Sequence, residues 1–167
     1  MRHKLLAILF LFSITSFGQK SPAKEVKGAT IDQVNITVKY SSPKVKGRDI
    51  YGGLVPYGEV WRAGANKNTT IEFDKNVFIN GKKLEAGKYG FFIIPFEKEN
   101  WILVFSKDSN AWGAYNYIKE NDALRVETSS KNNTISQEEL TYQILSNGIA
   151  FSWGEKSIII PVERAKK

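Results

Sequence analysis

The chain has 167 residues, no Cys and a single His, with 42% hydrophobic, 13% aromatic and 25% charged residues. That is one domain's worth of chain, enough for a single sizeable core, and too apolar and aromatic to stay disordered. No Gly- or Pro-rich tract points to a fibre or a long linker.

At the N-terminus, Arg2-His3-Lys4 is a short basic segment, Leu5 to Phe12 an uninterrupted apolar run, and Ser13 to Gly18 mostly small and polar. This is the layout of a secretory signal peptide over residues 1–18, too short for a membrane-spanning helix; the alternative is a buried N-terminal helix. Ser16 and Gly18 place the cut before Gln19. The expectation is therefore an exported protein, periplasmic or extracellular. With no Cys near the cut it is not a lipoprotein.

Removing residues 1–18 leaves 149, with 22 Lys and Arg against 17 Asp and Glu, a net charge of +5. Those charges are single lysines alternating with acids, a solvated surface and not a clustered nucleic-acid groove. Cleavage also removes His3, so the mature chain has neither His nor Cys. Ser–His–Asp triads, Cys–His dyads, the usual zinc sites and His-held iron or copper all need the missing residues. No metal site and no cofactor are expected. A carboxylate pair, a Ser–Lys arrangement or an oxygen-ligated calcium site stay open. Asp108-Ser109-Asn110 lacks EF-hand spacing and reads as a polar turn.

Residues 19–30 read as a loose arm. From Val34 the period is two: Val34, Ile36, Val38 and Tyr40 alternate with polar residues, as do Ile71 and Phe73. Val77 to Ile79 runs into Asn80-Gly81, the dipeptide suited to a type I′ hairpin, and Leu84 leads to a second turn at Ala86-Gly87. Tyr89–Ile94 and Trp101–Phe105 are apolar on both faces, as central strands covered on both sides would be. Alternation returns at Leu124–Val126, Leu140–Ile144 and Ile149–Trp153, and a last strand runs over Ser157–Val162. About nine short strands and no helical stripe predict one all-β domain over 31–163, an antiparallel sandwich or flattened barrel, with 164–167 a frayed end.

Two stretches break the alternation. Ser41 to Asn68 is a long glycine-punctuated excursion carrying Trp61 and Arg62, and Asn110 to Tyr117 is a second aromatic one. Aromatic loops of this length inside a compact domain are usually functional. The mature chain has only four Arg (Arg48, Arg62, Arg125, Arg164) against eighteen Lys. Arg in a Lys-rich chain tends to stand where a planar multi-donor cation is required. Two readings follow. In one, Arg62 and Arg125 tie loop carbonyls and carboxylates such as Asp122 together, with Trp61 and Trp112 as core plugs. In the other, Arg48, Trp61, Arg62, Asn66, Trp112, Tyr115 and Arg125 surround a pocket for an anionic or polyhydroxyl ligand. The N-x-T triplets at Asn35, Asn68 and Asn132 read as accidental.

Ser42-Pro43 through Gly47-Arg48, Val55-Pro56-Tyr57-Gly58-Glu59-Val60-Trp61-Arg62-Ala63-Gly64-Ala65-Asn66, Asn80-Gly81 through Tyr89, and Trp112-Gly113-Ala114-Tyr115 with Tyr117 and Asp122 resemble the family called domain of unknown function 2911. The resemblance covers about Gln33 to Val162 and implies an exported protein of Bacteroidetes-type bacteria. It supplies no reaction. Three classes of function stay open: a non-catalytic module binding a small molecule or glycan of the cell envelope, a structural or interaction part of an envelope assembly, and a metal-independent hydrolase. The hydrolase would draw on Glu59, Glu72 or Asp122 and needs two carboxyls about 5–9.5 Å apart. No nucleic-acid partner and no membrane span are expected, and the oligomeric state is not legible.

The leader layout predicts a mature chain beginning at Gln19. Mass spectrometry of protein from its native host checks this, and an intact Met1 in the envelope fraction would refute cleavage.

Overall fold

The computed structural model describes residues 20–165, so the expected leader lies outside the described residues. Ten strands form two antiparallel sheets: β1 (Ala23–Ala29), β2 (Asn35–Ser41), β3 (Thr69–Phe73), β4 (Val77–Ile79), β5 (Lys82–Leu84), β6 (Gly87–Ile94), β7 (Asn100–Ser106), β8 (Asp122–Ser129), β9 (Lys131–Leu145) and β10 (Gly148–Arg164). Six make one sheet in the order β1-β2-β3-β6-β7-β8, and four make the other in the order β5-β4-β10-β9. The pair is an all-β sandwich and does not close into a barrel.

The period-two residues face inward. Ile36, Val38, Ile71, Phe73, Phe91, Ile93, Trp101, Leu103 and Phe105 of the larger sheet meet Val77, Ile79, Leu140, Tyr142, Phe151, Trp153, Ile158 and Ile160 of the smaller one in a single buried cluster. Asn80 (φ 46°) and Gly81 (φ 75°) turn β4 into β5, both in the left-handed region that a type I′ hairpin needs.

Three features differ from the sequence reading. The arm is a strand: β1 pairs with β2 along its whole length, from Ala23–Ser41 to Ala29–Asn35. Its hydrophobic signal is faint because it is an edge strand whose inward positions include Gly28, and a Cβ at Gly28 would stand 2.8 Å from Ile144 Cβ. The frayed end is also partly ordered, since Arg164 pairs with Val77 as the last residue of β10. Finally, Ile149–Trp153 and Ser157–Val162 belong to one strand with register shifts at Gly154 (φ 57°). There the Asn133 side-chain amide donates to Ser152 Oγ, Gly154 O and Lys156 O, filling gaps in the broken ladder.

The doubly apolar strands are covered on both sides, as expected. The outward residues Phe92, Ile94 and Val104 are buried under Val60, Ala114 and Tyr117. The cover comes from the two irregular segments and not from a third layer of regular structure.

Gly28→Val tests the arm-to-strand correction. Because the added side chain meets Ile144, the substitution should cost about 1–3 kcal/mol through overpacking. A thermal melt reads this as a fall of several degrees. An unchanged melt would mean that β1 is not docked.

Candidate functional site

The Trp61–Asn68 motif sits where a strand is interrupted. Thr69 pairs with Phe91 of β6, and Trp61 pairs with Ile93, its N–H and C=O both bonded at 2.9 Å. On β6 these partners are two residues apart, whereas Trp61 and Thr69 are eight apart, so residues 62–68 are looped out of an otherwise continuous ladder. The loop is held at its centre. Ala63 O accepts from Thr69 Oγ1 (3.0 Å) and from the buried Tyr142 hydroxyl (2.8 Å), and Trp61 Nε1 donates to Gly64 O (3.2 Å). Gly64 is required because a Cβ there would stand 2.7 Å from Thr69 Oγ1. The Asn66 amide donates to Ser21 O (3.0 Å), tying the loop to the chain entering β1.

The second segment is anchored at its C-terminal end. Arg125 Nη1 donates to Asp122 Oδ2 (2.9 Å) and to the Tyr117 oxygen (2.8 Å), and the Tyr117 hydroxyl donates to Asp122 Oδ2 (2.5 Å). Arg62 reaches beneath this segment. Its Nη1 lies 2.9 Å from where a Cβ on Gly113 (φ 68°) would stand, and its Nε is buried without a hydrogen-bond partner.

The seven residues singled out from sequence therefore do not line one concavity. Trp61 is packed into the core, stacked on Trp153 with ring centroids 5.5 Å apart. Asn66 and Arg125 have structural partners. Arg48 folds back on its own loop, donating to Val45 O (3.0 Å) and Lys44 O (2.5 Å). Trp112 and Tyr115 are 60% and 87% exposed, so Trp112 is no core plug. The carboxylates are also apart. Glu72 on β3 and Asp122 on β8 are separated by β6 and β7, hence by roughly 14 Å at ordinary strand spacing. Glu59 lies near the Ile94 end of β6 and Glu72 opposite Lys88, which is roughly 20 Å along the strand. Asp108-Ser109-Asn110 is the expected turn, closed by Asn110 N–H to Asp108 Oδ1 (3.0 Å). Among the described residues no group of three or more Asp, Glu, His or Cys is placed to hold a metal.

What the fold does build is a groove of about 530 Å³ on the outer face of the larger sheet. One side is the Ser109–Trp112 segment, and the other is formed by β1 and β2. Lys24, Lys39, Lys67 and Lys88 line it against a single acid, Glu25. Glu25 is already held by Lys27 (2.6 Å) and Lys39 (2.9 Å), and these two ammonium groups draw its carboxyl below the usual carboxylate range. Lys67 and Lys88 make no ion pair among the described residues. At the head of the groove, beside Lys67, stands Asn68. Its residue is 7% exposed, and both Oδ1 and Nδ2 lack a hydrogen-bond partner. A buried primary amide with neither half satisfied is uncommon and costs about 1–3 kcal/mol per unmade bond. Sequence reasoning passed over Asn68 as part of an accidental N-x-T triplet. No local pattern distinguishes it; only burial and the missing partners do.

Buried Tyr142 and half-buried Tyr51 and Tyr117 give the site region a pH signature. Burial pushes the hydroxyls of Tyr51 and Tyr142 up, and burial with the Asp122 carboxylate does the same to Tyr117. In the unfolded chain these groups lose their protons near pH 10. Above that pH the folded state holds more protons than the unfolded state, so stability falls as pH rises. Denaturant titrations at pH 8 and pH 11 should show the loss, with tyrosinate absorbance appearing together with unfolding. Free ionisation of all seven tyrosines without unfolding would contradict it.

No curated protein and no solved structure matches this chain, and among the described residues no helix is long and apolar enough to cross a membrane. The family model described as "Protein of unknown function (DUF2911)" matches residues 21–162, nearly all of the described chain, and so takes in the looped-out motif, the tyrosine clamp and the groove. The chain belongs to that family.

Proposed function

We propose that the protein is an exported, non-catalytic binding module for a small saccharide of the cell envelope or its surroundings, with the groove between Trp112 and the lysines of the larger sheet as its site. The observation that carries this reading is Asn68. A side-chain amide with donor and acceptor both unpaired lies buried at the edge of a groove that also has a 60%-exposed indole in its lining. Saccharide recognition uses these two elements. An aromatic face covers the apolar face of the sugar ring, and an amide pairs with neighbouring hydroxyls, each of which is both donor and acceptor. The volume is within the range of small-ligand sites. The leader-like layout of residues 1–18 supports export. The distance of Glu72 from both Glu59 and Asp122 argues against the hydrolase pairings that use it.

Trp112→Ala tests the reading. The side chain packs mainly against solvent, so the melt should shift by no more than an ordinary surface change, about 0.5 kcal/mol. Saccharide affinity, followed by titration calorimetry with a panel of neutral and acidic oligosaccharides, should fall by the equivalent of about 0.5–1.5 kcal/mol. Equal affinity of wild type and variant would remove the groove from the binding site.

A further inference from the structure

Resting on that reading, we infer that the groove selects an acidic saccharide, with ring hydroxyls against Asn68 and a negative substituent between Lys67 and Lys88. The argument begins with charge. Four lysines line the groove against one glutamate, and that glutamate is engaged by Lys27 and Lys39. Lys24 is held by Glu139 (2.9 Å), which leaves Lys67 and Lys88 as the groove cations without an ion pair among the described residues. Lys88 stands opposite Glu72 in the β3–β6 ladder, yet no contact of ion-pair length joins them. An anion entering the groove thus meets ammonium groups that it need not take from an existing partner.

Asn68 sets the second requirement. Its Oδ1 would repel a carboxylate or sulfate placed directly on it, whereas a pair of hydroxyls satisfies Oδ1 and Nδ2 together. The anionic group therefore belongs on the lysine side, and the ring hydroxyls on the amide side. Both amide atoms are enclosed, Nδ2 against Gly90 beside Asp108 O, so a ligand reaches them only when the roof of residues 108–111 lifts, and that roof is lightly held over Asn68. Its backbone N–H reaches Ala111 O at 3.4 Å, a long hydrogen bond that a ligand hydroxyl can replace. A neutral sugar would satisfy Asn68 and Trp112 but leave the two ammonium groups partly desolvated and unmatched. This difference is the source of selectivity.

A carboxylate and a sulfate both meet these demands, so three probes are needed: an oligogalacturonate, the same oligosaccharide fully methyl-esterified, and a sulfated galactan oligosaccharide. Titration calorimetry of the full mature chain should show the oligogalacturonate, the sulfated probe or both binding at least about tenfold more tightly than the ester. That preference should weaken at high salt. In the Lys67→Gln/Lys88→Gln double variant, both side chains being exposed, the melt should be unchanged and the ratio should fall towards one. Which acidic probe leads identifies the charged group. An ester that binds as tightly as both acids would overturn the acidic class while leaving the groove as a saccharide site. Binding of none of the three would overturn both. A preference that survives the double variant would place the charge reader elsewhere and overturn this assignment.

Discussion

Trp61 joins the parts of the molecule that sequence order keeps apart. Its backbone continues the ladder of β6 through Ile93, its ring stacks on Trp153 of the opposite sheet, and its Nε1 holds Gly64 O. One residue thus couples the larger sheet, the smaller sheet and the looped-out motif. The stack with Trp153 (interplanar angle 20°) is flanked by an edge contact to Phe151. Indoles in such contacts contribute large buried area with few rotatable bonds to fix.

The consequences run outward from that point. With Trp61 on the ladder and Thr69 resuming it, the seven intervening residues must leave the sheet plane, and their backbone polar groups need new partners. Ala63 O finds two, from Thr69 and Tyr142, while Ala65 N–H takes Ser41 O. Ala63 and Asn66 adopt positive φ (49° and 57°) to make the path. The path delivers Arg62 beneath Gly113 and Asn68 beneath Ala111, so the first irregular segment becomes the floor on which the second one lies. The groove is the space left beside that second segment.

Four of the six buried side-chain polar atoms without partners among the described residues lie in this region. Arg62 Nε, Asn68 Oδ1 and Nδ2, and Asp122 Oδ1 all belong to the contacts between the two irregular segments and the sheet. In the regular part of the sandwich Ser130 Oγ and Trp153 Nε1 are also buried without partners, while side-chain bridges such as that of Asn133 fill gaps in the ladders. Most of the unpaired buried side-chain groups thus lie beneath the irregular segments, beside the place where binding is proposed. Different residues of the same motif have different surroundings: Trp61, Ala63 and Gly64 hold the loop, Lys67 is exposed at the groove, and Asn68 is buried at its edge beneath Ala111.

The sequence by itself determined the all-β class, most of the strands, the Asn80-Gly81 hairpin and the two irregular segments, because these depend on local period and on φ preferences that single residues carry. It also marked Trp61 and Arg125, since a Trp within a glycine-bounded run and an Arg in a Lys-rich chain stand out by type. Only the tertiary structure decided that residues 23–29 are a strand, because an edge strand with one apolar inward residue and a glycine is defined by its partner and not by its own pattern. Only the tertiary structure separated the structural members of the motif from those that face solvent. Trp61 and Trp112 look alike in sequence, yet one is stacked between sheets and the other is exposed, since burial depends on what the rest of the chain places over a side chain. Asn68 shows the limit most clearly. An asparagine before a strand is ordinary in any sequence, and its significance arises from donors and acceptors that the fold brings near it or fails to bring.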